Sequence, residues 1–257
     1  MAHKEWPAND YAVGSIIQAT ISDEYTRTLS IPETARVLDV GCGDGAYSRK
    51  ILVKVPRGEV LGVDASANML KLAREVSREF PNFSVREADI TALDMYDTFD
   101  QAVSFWCLQW VQDIRAAFES IMHALVPGGK LLALLPAGHD PYILGYYALR
   151  DSGEFPQLAH FVPPMRYELL ENLQAMLASI PCRRLTVERT SHTVTLPSLD
   201  TYRKFVNGLA FYHGQMSEAE VHAINEALVA HFDAECRQQF AGEYRFYIDT
   251  LVVTGEK

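Results

Sequence analysis

At 257 residues, 48% of them hydrophobic, the chain is long enough to bury one sizeable core, and no apolar run reaches the roughly 18 residues of a membrane span. A formal charge of −10 with no Lys/Arg cluster weighs against a nucleic-acid partner, because phosphate binding is led by a basic surface. The four cysteines, Cys42, Cys107, Cys182 and Cys236, make no CxxC pair and read as reduced thiols rather than a disulfide framework or a zinc site.

The opening MAHKEWPAND lacks the apolar core of a signal peptide, so a cytoplasmic location is expected. Residues 10–28 follow with helical spacing. At ~100° per residue, Tyr11, Ser15 and Gln18 share one face and Val13, Ile17 and Ile21 the opposite one, so one side is expected to pack and the other to line a site. Five apolar runs come next: RVLDV (36–40), EVLGVD (59–64), FSVREAD (83–89), FDQAVSFW (99–106) and KLLALLPA (130–137). Helical patterns alternate with them, which predicts βαβ units and a parallel sheet covered on both faces. Ser66 is placed as an N-cap before Met69, Leu70, Ala73, Val76 and Phe80, and Ile114, Phe118, Ile121 and Leu125 form a second stripe stopped by PGG at 127–129. These stripes are core.

The second half changes character, with helical stretches near 164–180, 199–212 and 217–235 around a strand-like RLTVERTSHTVTL (184–196), and EYRFYIDTLVVTG (243–255) returning to strand composition. Ser217 and Glu220 make a capping box. No repeat or linker divides the chain, so residues 1–257 are expected to form a single domain. Within it, residues 1–30 are an N-terminal helical lid, 31–138 the core, 139–182 and 197–242 helical insertions, and 183–196 and 243–257 C-terminal strands. The insertion carries Tyr142, Tyr146, Tyr147, Phe155, Phe161 and Tyr167, which line an apolar pocket or, for most of them, form its own core.

The stretch VLDVGCGDG runs from a buried strand ending near Asp39 into Gly41, Gly43 and Gly45 and then a helix, a layout that brings bare backbone to a ligand at the carboxyl edge of a sheet. Twenty-five residues beyond Asp39, at the end of the next strand, Asp64 is placed to accept both hydroxyls of a ribose. That much suits a dinucleotide equally. Asp89 and Ile90 at the third strand's end, and Asp39 just before the glycines, shift the balance. A carboxylate there is unwelcome beside a pyrophosphate but suits an ammonium and a sulfonium, so S-adenosylmethionine is favoured over NAD.

Together VLDVGCGDG, GVDAS, ADI and LVPGGKLL resemble the class I S-adenosylmethionine-dependent methyltransferases, over roughly residues 35–137, and the tail 243–255 resembles that family's antiparallel final strands. The resemblance implies an α/β, Rossmann-like, doubly wound and mostly parallel seven-stranded sheet, with an antiparallel last strand and a helical insertion after strand five. It also implies S-adenosyl-L-methionine as cofactor and S-adenosyl-L-homocysteine as product. Asp39, Gly41, Cys42, Gly43 and Gly45 would hold the methionine part, Asp64 with Ala65 the ribose, and Asp89 with Ile90 the adenine. Phe105 and Trp106 would face the cofactor from the other side.

Two further stretches, NDYAVGSIIQ and CLQWVQDIRAAF (107–118), resemble the juvenile hormone acid methyltransferases and, more loosely, the trans-aconitate and malonyl-carrier-protein methyltransferases, all of which methylate a carboxylate. Carried over, Gln18 and Trp110 would bind the acceptor carboxylate and Tyr11 would close over the methyl-sulfonium. An amide N–H and an indole N–H are neutral donors, which hold a carboxylate without blunting it as a bidentate arginine would. Each also has a plainer reading, Tyr11 and Gln18 as exposed helix residues and Trp110 as core. The chain departs from the hormone enzymes at Gln109, where they carry histidine, and in LLPAGHDPYILGYYALRD after the fifth strand.

The partner expected is thus a small-molecule acid, with no nucleic acid, membrane or metal, and with oligomeric state left open. Methyl transfer from a sulfonium is an in-line displacement in which opposite charges neutralise, and a carboxylate acceptor is already ionised at pH 7 and needs no base. A phenol, amine or carbon acceptor is the alternative, with His139 as a candidate base, and a non-catalytic cofactor-binding protein is a third.

Overall fold

The computed structural model describes residues 15–165, 170–212 and 214–257. A seven-stranded sheet organises them, with strands β1 (Arg36–Val40), β2 (Glu59–Asp64), β3 (Phe83–Glu87), β4 (Phe99–Phe105), β5 (Leu125–Pro136), β6 (Arg184–Thr195) and β7 (Arg245–Glu256). Their order is β3-β2-β1-β4-β5-β7-β6. The first five run parallel, and β7 pairs antiparallel with both β5 and β6. The expected class therefore holds, down to the antiparallel final strand. β1 stands between β2 and β4, where the order reverses, and an open parallel sheet offers its ligand crevice at the carboxyl end of that reversal.

Around the sheet lie α1 (Ile16–Thr28), α2 (Ala46–Leu52), α3 (Ala67–Glu79), α4 (Ile114–Ala124), α5 (Pro141–Ser152), α6 (Leu173–Leu177), α7 (Leu199–Gly208) and α8 (Glu218–Phe240). Each boundary has a local cause. The Ser66 side chain accepts the Met69 amide to start α3, whose Met69, Leu70, Ala73 and Val76 are buried. Asp140 accepts from the amides of Tyr142 and Ile143, ahead of a proline in the first turn of α5. Ser217 and Glu220 close the expected capping box on α8.

Two apolar cores form, one on each face of the sheet. One joins Val37, Ile51, Leu70, Tyr146 and Phe232, and the other joins Leu38, Val40, Phe118, Ile121 and Leu173. Neighbouring β1 residues thus serve opposite faces, as the pleat requires.

Within the expected 164–180 helical stretch, residues 170–171 and Leu173–Leu177 are helical among those described. Two expectations need correction. β5 begins at Leu125, which also caps α4, so the PGG that follows lies inside the strand. The faces of α1 do not divide as a packed side and a free side, because Gln18 and Ser22 are buried along with Ile17 and Ile21. α1 lies between α7 and β6, so neighbours cover more than one stripe of it.

The aromatic residues after β5 are core more than lining. Tyr146 stacks among Tyr147, Phe161, Phe211 and Tyr212 at centroid separations of 5.2–6.5 Å. Tyr167 lies outside the described residues.

Candidate functional site

The site is built on β1. Asp39 is 1% exposed and its carboxylate accepts a 2.6 Å hydrogen bond from Ser48 Oγ on α2. Burial pushes its pKa up to about 7, against the lowering effect of the Ser48 bond, and the negative charge of Asp64 pushes the same way as burial. After β1 the chain turns through left-handed backbone at Gly41 (φ +70°), Gly43 (φ +56°) and Gly45 (φ +82°). The first two glycines are required for different reasons. A Cβ on Gly41 would stand 2.2 Å from Cys107 Sγ, so the turn after β4 presses on the loop there. A Cβ on Gly43 would meet no protein atom within 4 Å. Gly43 therefore borders open space, and its φ demands glycine whatever fills that space.

Asp64, half-buried at the end of β2, ties the loop down. One carboxylate oxygen accepts the Gly43 amide at 3.0 Å and the other the Ser66 amide at 2.8 Å. Ala65 beside it is exposed. Asp89 caps the short turn Ile90–Ala92, accepting from the Thr91 amide at 2.9 Å and the Thr91 hydroxyl at 2.7 Å, while Ile90 is buried. Three acids thus stand at the ends of three adjacent parallel strands, facing the same crevice edge. Cys42 is buried and Cys107 half-buried, and desolvation raises the pKa of both thiols, so neither is a nucleophile at neutral pH.

Open space at Gly43, a carboxylate at each strand end and a reversal of strand order are what a cationic nucleoside needs. The residues present fit S-adenosylmethionine.

Across the reversal, Phe105 ends β4 with its ring 5.4 Å from that of Tyr47. Trp106 follows in left-handed backbone (φ +58°), costly for a residue with a side chain, and its indole Nε1 donates to Ser22 Oγ at 2.8 Å. Its side chain is thereby turned onto α1. The amide of Gln109 donates to the Trp106 carbonyl at 2.8 Å, and Trp110 is half-buried against the core.

Gln18 is 8% exposed on α1, one turn before Ser22, and its Oε1 is buried with no hydrogen-bond partner. Gln109 Oε1 is likewise buried and unpartnered. Tyr11 lies outside the described residues. His139, after β5, is exposed with φ +63°. Its neighbour Asp140 is buried, and burial carries its pKa up to about 6 in spite of the two amides it accepts.

Sequence reasoning missed Ser48, Ser22 and Asp140. Asp140 carried a signal, an Asp before a proline that opens a helix. Ser22 falls four residues after Gln18 and so on the same helix face, but its partner Trp106 is 84 residues away and no local pattern announces it.

Among the described residues no group of three His, Cys, Asp or Glu side chains is arranged to hold a metal, and no helix is long and apolar enough to cross a membrane.

Comparison with known proteins agrees with this geometry. The family described as a methyltransferase domain matches residues 37–129. The chain is 37% identical over 112 residues to the trans-aconitate 2-methyltransferase of Deinococcus radiodurans, covering 43% of this chain and 42% of that one. It is 37% identical over 120 residues to the juvenile hormone acid O-methyltransferase of Bombyx mori, covering 44% and 42%. The chain thus spans less than half the length of either relative. Among solved structures, the YcgJ protein of Bacillus subtilis superposes with a TM-score of 0.61 at 19% identity, over 91% of this chain and 96% of that one, which is a likeness of fold.

Proposed function

We propose that this chain, whose residues 37–129 match a methyltransferase domain and whose sheet order suits one, is a class I S-adenosylmethionine-dependent methyltransferase that esterifies the carboxylate of a small-molecule acid. The observation that carries the reading is Gln18. Its buried, unpartnered amide Oε1 lies on α1 one turn from Ser22, the residue that anchors Trp106. Nothing fixes which end of that amide faces outward, so it can present its N–H to a carboxylate. Two relatives named for acids support the same acceptor class.

The cofactor, when bound, supplies a methyl group on a sulfonium. Everything else falls to the chain. Gly43 leaves room, Asp64 takes the ribose hydroxyls, and Asp89 with the Ile90 backbone reads the adenine. Asp39 and Asp64 set a negative field suited to the cation. Gln18 and Trp110 hold the acceptor oxygen in line with neutral donors, so its nucleophilicity is kept. Tyr11 shields the reacting atoms from water. The product is a methyl ester, and no base is needed.

The test is calorimetric binding of S-adenosylmethionine to wild type and Asp64→Ala, followed by a methyl-ester screen over mono-, di- and tricarboxylic acids, fatty acids and carrier-protein thioesters. Binding that weakens in Asp64→Ala, with an ester whose formation is lost in Gln18→Ala, supports the reading. Binding with methylation only of phenols or amines replaces the acceptor, and no binding at all removes the cofactor.

A further inference from the structure

We propose that Gln109 selects the methyl acceptor by accepting a hydrogen bond from it, so that the acid methylated here carries a hydroxyl or amide N–H near its carboxylate. The inference deepens the carboxylate reading above and rests on it.

The two buried glutamines linked to Trp106, Gln109 directly and Gln18 through its place one turn from Ser22, are not equivalent. Gln109 lies 6% exposed in the short turn Leu108–Trp110 that follows β4 at the carboxyl edge of the sheet. Its Nε2 donates to the Trp106 carbonyl at 2.8 Å. Turning the amide over would set two oxygens against each other at that distance, so its orientation is fixed. Trp106 is itself held, through its indole and Ser22 Oγ at 2.8 Å, against α1. The remaining oxygen, Gln109 Oε1, is therefore an acceptor that cannot become a donor.

That oxygen is shielded from solvent and has no partner. A buried acceptor left without a donor forfeits its hydration with nothing in return, and native proteins rarely tolerate one without a reason. A bare carboxylate offers no proton to relieve it, whereas a neighbouring O–H or N–H does. Gln18 Oε1 is unpartnered too, but Gln18 is free to turn its amide and serve the carboxylate. The pair thus presents one adaptable donor and one fixed acceptor. An acid with a nearby hydroxyl or amide satisfies both, and an acid without one satisfies only the first.

The experiment measures kcat/KM for matched pairs of acids: mandelate against phenylacetate, 3-hydroxydecanoate against decanoate, and N-acetylphenylalanine against 3-phenylpropanoate. In wild type the donor-bearing member of at least one pair is expected to be favoured about 100-fold, the scale set by leaving one buried acceptor unpartnered. Gln109→Met, of similar volume, is expected to bring that ratio near one mainly by slowing the donor-bearing acid, with S-adenosylmethionine affinity unchanged. Gln109→His keeps one ring nitrogen as donor to Trp106 and the other as acceptor, and is expected to restore part of the ratio.

A wild-type ratio near one in every pair means that water fills the place and overturns the inference, and this arm needs no variant to fold. Equal loss on both members with weakened cofactor binding in Gln109→Met also overturns it, by assigning the oxygen to the cofactor. Ester from neither member of any pair, while phenols or amines are methylated, defeats the carboxylate reading and this inference with it.

Discussion

The two sides of the crevice differ in how completely their polar groups are satisfied. On the β1–β2 side both oxygens of Asp64 accept backbone amides, Asp39 is bonded to Ser48, and Asp89 is bonded twice to Thr91. On the β4–α1 side Gln18 and Gln109 each leave a buried amide oxygen without a partner. A site finished without its ligand is preorganised, and one with buried orphans is completed by what it binds. On the proposed reading the cofactor half is thus the rigid template, and the acceptor half is where specificity resides.

The sharpest way to break the rigid half is at its glycines. Gly41→Ala drives a Cβ to 2.2 Å from Cys107 Sγ at φ +70°, combining overpacking with left-handed strain. A loss of about 3–5 kcal/mol is expected in chemical denaturation. Gly43→Ala meets no protein atom within 4 Å and should cost only the strain, about 1–2 kcal/mol. Calorimetry should nevertheless show S-adenosylmethionine binding lost in Gly43→Ala, because the added methyl occupies the ligand's space. Equal destabilisation by the two would dissolve the distinction between the packed glycine and the open one.

Asp39 opposes stability and function on the same side of the crevice. Its pKa is raised from 3.8 to about 7, so the folded protein binds the proton more tightly than the unfolded chain does. The folded state is therefore favoured by this group at low pH and loses that advantage as pH rises from about 4 to 7. Asp39→Asn removes the effect. The variant should match wild type near pH 4.5 and exceed it at pH 8 by an amount on the order of 3 kcal/mol, read from denaturation midpoints. Cofactor affinity should move the other way, tightening with pH in wild type and staying flat and weak in the variant.

Asp64→Ala removes charge-assisted hydrogen bonds to the Gly43 and Ser66 amides and, on the proposed reading, the acceptor for the ribose. Cofactor Kd is expected to rise about 100-fold, about 2.7 kcal/mol, while kcat at saturating cofactor changes little.

The sequence was legible where the chemistry is local. The strand runs, the Ser66 cap, the Ser217–Glu220 box and the glycine loop are all set by residues within a few positions of each other, and each lies where expected apart from the earlier start of β5 at Leu125. Family likeness implied an antiparallel last strand, but the order β7 before β6 was not legible, since strand pairing across the chain leaves no short-range mark. The acceptor half was harder for the same reason. Helical spacing set Gln18 apart from Ile17 and Ile21, but the burial of all three depends on α7 and β6, far along the chain. Trp106 was expected to face the cofactor, and its bond to Ser22 joins residues whose sequence neighbourhoods say nothing of each other.

That bond gives the smallest expected effect and the most selective one. Among the described residues Ser22 is the side-chain partner of the Trp106 indole, and Ser22→Ala removes it while leaving the ring packed, with Ser22 itself fully buried. A neutral hydrogen bond of this kind contributes about 1 kcal/mol, so the melting point should fall by only a few degrees. Its consequence for binding should be one-sided. α1 carries Gln18 one turn from Ser22, and a loosened α1 misplaces that amide without touching Asp64 or the glycine loop. The acceptor KM should rise several-fold while the cofactor Kd stays within twofold of wild type. If both constants rise together, Trp106 braces the cofactor half as well, and the two sides of the crevice are one mechanical unit.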